Sequence, residues 1–321
     1  MTKAERNSSF ELLRIILIML VAIEHVNVWY VGMPSELSSV RVLQCFVQSC
    51  CVWAVNCFVL ISGWFVINGG YRRIFPLVGR ILFCTIPLCV IFLLLGDVKI
   101  NSIDSVYNYL LGGNTYWFIH DYIALVLLVP VLNGGFERID KRTLWRMLLL
   151  MYAFILVMDF VMQSTVIGIE GGYSILWMAY LYLLGRYAKE YGIPMVSRYK
   201  WAILIGSIAL EGALFSLHMI GTRYTNPLVL LPALSTLFIV KEYNFNKKWI
   251  NYIAASSLVM YMLHVQPCLI PFIRETLCGW HQEYNHALYL VIATGFMIGM
   301  FGLAVLVNAV YKLIFNRWGL D

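Results

Sequence analysis

An arginine and a histidine eleven residues apart, Arg14 and His25, stand in the first apolar stretch of a 321-residue chain. At about 100° per residue, eleven steps make roughly 1,100°, so on a helix both project from one face, about 16 Å apart along the axis. A guanidinium near one end and an imidazole near the other suit a reaction that grips an anionic donor at one level and moves a proton at the other. Glu24, His120, Asp121, Asp159, Glu211 and His264 also stand inside apolar runs. Each costs free energy in hydrocarbon, so each is either a functional group or a packing partner. Asp159 and Glu211, with no accompanying pattern, read as packing partners. Arg14 keeps a second reading, as an anchor snorkelling to the interface.

These side chains must be positioned by membrane helices. The chain is 61% hydrophobic and 12% charged, with mean hydropathy +0.78, about half the charge a soluble domain needs to cover its surface. A soluble globule and a disordered chain are excluded, and without repeated period-2 alternation so is an outer-membrane barrel. What remains is an all-α polytopic membrane bundle. Ten apolar runs are candidate transmembrane helices, at 11–32, 44–67, 78–96, 116–133, 144–164, 173–189, 201–218, 226–240, 250–272 and 287–311. Asn226-Pro227 suits a helix start, although that short run also reads as a re-entrant piece.

With ten crossings, 19 Lys and Arg fall on the side of the N-terminus and 4 (Arg41, Lys99, Arg223, Arg274) on the other, which makes both termini cytoplasmic. The net charge of +6 therefore sets orientation and gives no basic patch for nucleic acid. The first run lacks a small-residue cleavage site and reads as a retained helix. The eight Cys lie mostly within apolar runs without metal-ligand spacing, as small core residues, and no metal is expected. No linker or internal repeat divides the chain, so residues 1–321 read as a single domain.

Counting about 1.5 Å per residue from the run ends puts Arg14 about 6 Å and His25 about 22 Å from the inner boundary, with His264 at about 21 Å. His120 and Asp121 come out about 6 to 8 Å below the outer edge. Depth agrees across three helices, but rotation about each axis is open, and His120 or His264 taken alone also reads as a satisfied core histidine. On the inner side, Asn68-Gly-Gly-Tyr-Arg72-Arg73-Ile-Phe-Pro76 continues to Arg80, a cluster that reads either as topology signal or, with Arg14, as a phosphate grip. Tyr116, Trp117, Tyr173 and Trp177 lie near the outer boundary, as an interfacial belt or a sugar-stacking entrance.

Phe10-Glu-Leu-Leu-Arg14 leading to His25, and Ile61-Ser62-Gly63-Trp64-Phe65, resemble the opening of the membrane-bound acyltransferase 3 family. Later pieces are similar to its polysaccharide O-acetyltransferase branch: Tyr116-Trp117-Phe118, Pro130-Val-Leu-Asn133, Gly172-Tyr173-Ser174-Ile-Leu-Trp177, Tyr182-Leu-Leu-Gly185 and Tyr261-Met-Leu-His264-Val-Gln-Pro267. The resemblance implies transfer of an acyl group, usually acetyl, from acyl-CoA at the cytoplasmic side to a sugar hydroxyl, in the inner membrane of a bacterium. His25 corresponds to the family's essential histidine, Arg14 to its partner arginine, and Arg72 and Arg73 to a basic cluster after the second helix. Gly70 stands where an Arg-x-x-Arg pair needs a basic residue, and Val265 where the branch often has an acid.

Acyl transfer to an alcohol needs a proton acceptor, donors for the oxyanion and a grip on the thioester. The expected roles are His25 as general base or acyl carrier, with Asp121 as its orienting carboxylate because neighbouring Glu24 points about 100° away on a helix. Arg14, Arg72, Arg73 and Arg80 are expected to hold acetyl-CoA, and Trp117, Tyr116, His120 and His264 to line the acceptor site. The expected partners are the lipid bilayer, acyl-CoA and a saccharide. The rival reading is a transporter or flippase for a lipid-linked saccharide, since buried charges also serve transport pathways.

Overall fold

The computed structural model describes residues 7–67, 70–164 and 167–315. Lys3, Arg6 and Arg317 of the charge count, and Asn68 and Gly69 of the basic loop, lie outside the described residues. Among the described residues there are fourteen α-helices and no strand. They are α1 (Ser8–Glu24), α2 (Ser39–Cys51), α3 (Ala54–Trp64), α4 (Ile74–Leu95), α5 (Ile103–Leu111), α6 (Trp117–Arg138) and α7 (Lys141–Leu156). Then come α8 (Ile175–Tyr191), α9 (Pro194–Ser216), α10 (Pro227–Val240), α11 (Lys248–Ala254), α12 (Ser257–His264), α13 (Ile270–Glu283) and α14 (His286–Phe315).

Among the described residues six helical stretches are long and apolar enough to cross a membrane: Ser8–Trp29, Ser39–Trp64, Tyr71–Leu95, Ile103–Arg138, Lys141–Val161 and His286–Phe315. Their outward faces carry strongly exposed apolar side chains, among them Leu94, Val131, Leu150 and Leu313, a surface that water would disfavour and hydrocarbon accepts. The protein is a multi-pass membrane protein. The remaining runs are helical but different in kind. α8 has 17 residues and α10 has 14, and α9 carries Arg198, Lys200 and Glu211. α10 begins as Asn226-Pro227 suggests, with the Asn226 side chain accepting from Leu228 N–H at 2.9 Å.

The run at 250–272 departs from the single helix expected of it. It is split into α11 and α12, and after His264 the chain leaves helical geometry at Val265 (φ −121°, ψ 21°). Pro267 explains the stop, because its ring would strike the carbonyl of residue 263 in a continuing helix and it has no N–H to give.

Contacts gather the chain into two compact units. The first takes in α1, α4, α5 and α11 to α14. There α1 starts at an Asn7 cap, and its buried Phe10, Leu13, Leu17 and Val21, spaced by three and four, face α11, α12 and α14. After Glu24 the winding loosens to a π-helix over His25–Trp29, in which Tyr30 N–H reaches back five residues to the His25 carbonyl at 3.0 Å.

The second unit takes in α2, α3, α6 beyond Trp117, and α7 to α10. In it α3 and α8 approach backbone to backbone. A Cβ on Gly63 would collide with the Tyr182 carbonyl, and one on Gly185 with the Leu60 carbonyl, so each helix reserves a glycine for the other's backbone. Beside this contact the Tyr182 hydroxyl donates to Asn133 Oδ1 at 2.9 Å and accepts from Ile67 N–H at 3.3 Å. Arg186 donates to the same oxygen at 2.7 Å and to Glu137 at 3.0 Å, and lies 4.2 Å over the Phe136 ring. Asp159 is a packing partner as expected: it is buried and accepts from Gly171 N–H at 3.1 Å, from Arg223 at 2.6 Å and from the Thr225 hydroxyl. Glu211 is not, for it is fully buried and neither carboxyl oxygen has a hydrogen-bond partner among the described residues.

Gly185→Ala should lower stability by about 1 to 3 kcal/mol, the usual cost of overpacking against atoms that cannot yield, here a backbone carbonyl. Thermal unfolding in detergent should show it as a clear drop in midpoint, with the exposed helical Gly206→Ala, whose Cβ meets nothing, as the control that does not fall.

Candidate functional site

The loosened turn at the end of α1 puts the His25 ring against His264, the last residue of α12. His25 Nδ1 and His264 Nε2 are 2.9 Å apart, and the rings stack with centroids 5.0 Å apart at 29°. The direction of this hydrogen bond follows from the next partner along. His264 Nδ1 lies 2.9 Å from the Met260 carbonyl, which can only accept, so that nitrogen carries the proton. In the neutral ring His264 Nε2 then offers its lone pair, and His25 Nδ1–H donates to it. The basic atom of His25 is therefore Nε2. The Glu24 carboxylate lies 3.5 Å from that atom, placed to stabilise the ring once it has taken a proton.

Two of the sequence expectations change here. The orienting position at His25 Nδ1, expected of Asp121, is taken by His264. Glu24, expected to point away, reaches Nε2, since three rotatable bonds let its carboxylate swing round from the neighbouring position. His120 and Asp121 open α6 in the second unit, where both are partly buried.

Both ends that carry the histidines leave backbone carbonyls outside regular helical bonding, and side chains meet them. In regular α winding Val26 would accept from Tyr30 N–H, which here goes to His25, and the Tyr289 hydroxyl donates to Val26 instead at 2.6 Å. At the end of α12, the His264 carbonyl accepts from the Tyr30 hydroxyl and that of Val265 from Thr115 at 2.9 Å. The Tyr116 hydroxyl lies 2.8 Å from the Met262 carbonyl and 2.5 Å from Gln266 Oε1, one proton between two acceptors. Gln266 is fixed in turn by donating to the Tyr109 carbonyl at 3.0 Å.

Tyr116 is only 1% exposed, so its ring supports the α12 terminus and does not offer a face to a sugar. Trp117 is partly buried at the start of α6. Trp29 packs with its ring centroid 5.2 Å from that of His25 and is 38% exposed, while Arg274 sits 5.6 Å over Trp29 and donates to the Tyr30 carbonyl at 3.3 Å. Trp29, Tyr30, Thr115, Arg274 and Tyr289 were not singled out from sequence. Trp29 and Tyr30 follow His25 closely in sequence, whereas Thr115, Arg274 and Tyr289 are brought to the pair only by the fold.

The cations expected to hold the donor all belong to the first unit. Arg72 and Arg73 are exposed on a short 3₁₀ turn, Gly70–Arg73, that leads into α4. Arg80, two turns along α4, lies 4.8 Å over the Tyr311 ring. Arg14 donates to Glu11 at 2.7 Å, an ion pair that compensates part of its charge while a third of the side chain stays exposed.

The acyltransferase 3 family, described as an acyltransferase domain, matches residues 7–309, which takes in both units. Among curated proteins and among solved structures nothing matches.

The tautomers are open to a direct test. In nitrogen-15 spectra of histidine-labelled protein at neutral pH, His25 and His264 should both carry the proton on Nδ1, and His264→Leu should release His25 into a mixture of tautomers. A wild-type His25 protonated mainly at Nε2 would reverse the direction of the pair.

Proposed function

The chain belongs to the acyltransferase 3 family, and from that premise we propose that this membrane acyltransferase moves an acetyl group from acetyl-CoA to a hydroxyl of a surface polysaccharide or of its lipid-linked precursor. The proposed setting is a bacterial inner membrane, with ten crossings, both termini in the cytoplasm and one catalytic domain. The observation that carries the reading is the imidazole pair: a histidine whose Nδ1 proton is committed to a second histidine has its other nitrogen poised to accept a proton.

In the proposed step His25 Nε2 takes the proton of the acceptor hydroxyl as its oxygen attacks the thioester carbonyl. The carbon–sulfur bond then breaks, the ester is formed, and the leaving thiolate takes the proton back from His25, so that CoA departs as the thiol. Glu24 stabilises the imidazolium between the two transfers, and His264 keeps the ring from turning. The donor's phosphates would be gripped by Arg72, Arg73 and Arg80, with Arg14 adding what charge Glu11 leaves it. Forked guanidinium groups on an exposed turn suit phosphate, and Trp29, partly open beside His25, suits the face of a sugar ring.

His25→Ala should insert and fold normally yet lose about 10²- to 10⁴-fold in transfer of radiolabelled acetyl to glycan, the usual contribution of a general base. Unchanged transfer would remove His25 from the step, whereas substrate accumulation without modification would remove the enzyme reading and favour a carrier. In detergent, the Arg72→Ala, Arg73→Ala double variant should bind acetyl-CoA about tenfold or more weakly than wild type, and Lys247→Ala should not. Equal binding by the two variants would move the donor site elsewhere.

A further inference from the structure

At the head of α7, in the second unit, lies a cavity of about 670 Å³ lined by Asp140, Lys141, Arg142, Trp145 and Tyr187. It plays no part in the chemistry above. Its wall is aromatic: the Trp145 and Tyr187 rings stack with centroids 5.0 Å apart at 24°, and Lys141 Nζ stands 5.4 Å from the adjoining Tyr191 ring. Its lone acid is turned to the backbone, where Asp140 accepts from Arg142 N–H at 3.0 Å and Thr143 N–H at 3.1 Å. Hydrogen bonding from Thr143, its side chain first and its N–H next, holds the Asp140 carboxyl below the usual carboxylate range, so the carboxylate serves as a helix cap and two cations are left to set the character of the opening.

What lies below the cavity indicates the shape of its occupant. α7 opens the apolar span Lys141–Val161. Along it Leu149, Leu150 and Val157 are each about half exposed or more, and they follow Arg142 at helical spacings that keep them on its side of the helix. A molecule that satisfies both parts has an anionic head and long apolar chains.

We propose that this cavity is a binding site for an anionic phospholipid, its phosphate held by Lys141 and Arg142 against the Trp145–Tyr187 wall and its acyl chains laid along α7. Basic clefts between membrane helices recognise such headgroups, and tryptophan and tyrosine favour the same depth of the bilayer. A water-borne phosphate would use the same cations but make no use of the apolar stripe.

The experiment is native mass spectrometry of the full chain released from nanodiscs of phosphatidylcholine containing phosphatidylglycerol. Wild type should retain phosphatidylglycerol in preference to phosphatidylcholine. The Lys141→Gln, Arg142→Gln variant should lose that preference by about 30-fold, the worth of two interfacial cations. Arg198→Gln, an exposed cation at another helix, should keep it. Equal retention by wild type and the double variant would overturn the site. Displacement of the lipid by free CoA would overturn the lipid as its occupant. Acetyl transfer by the double variant is a separate readout, so this proposal and the acyltransferase reading can fail independently.

Discussion

The hydrogen bond from His25 to His264 joins residues 239 positions apart and depends on two irregularities, a loosened turn in α1 and the end of α12 inside the bundle. Neither comes free in a hydrocarbon surround, because every backbone group outside a regular ladder must find a partner within the protein. The hydroxyls of Tyr30, Thr115, Tyr116 and Tyr289 are those partners. The same groups that satisfy the backbone thereby lock both rings.

In the second unit close approach of helices is joined to polar support. Gly63 and Gly185 let α3 and α8 meet backbone to backbone, and Asn133, Tyr182 and Arg186 form a hydrogen-bonded knot beside them. These residues stand within or next to the sequence pieces that resemble the family, which gives those pieces a structural meaning. They mark where helices touch, whereas the histidine pair marks where chemistry is possible. The carboxyl of Glu211 is among several buried polar groups of this unit that find no hydrogen-bond partner among the described residues.

Local features were the ones legible beforehand. The Asn226-Pro227 helix start and the placing of Arg14 and His25 on one helix are set by residues close in sequence, where steric and hydrogen-bonding rules act directly. Equal depth for His25 and His264 also followed from counting residues, although α12 turned out to be one piece of a broken helix. The expectation that Glu24 points away from His25 fails because an ideal helical wheel fixes where a Cα sits and leaves open where a long, flexible side chain ends.

The chain by itself determined a membrane class, through too little charge to clothe a soluble fold, and it determined a family, through short motifs in fixed order from residue 10 onward. Only the tertiary structure decided which way each helix is rotated, and so which nitrogen of His25 is basic and which residue fixes it. The physical reason is that hydrophobic content and spacing act along one segment at a time. The direction of a hydrogen bond between two imidazoles is set by a third group, here the Met260 carbonyl, that comes within reach only when separate segments pack.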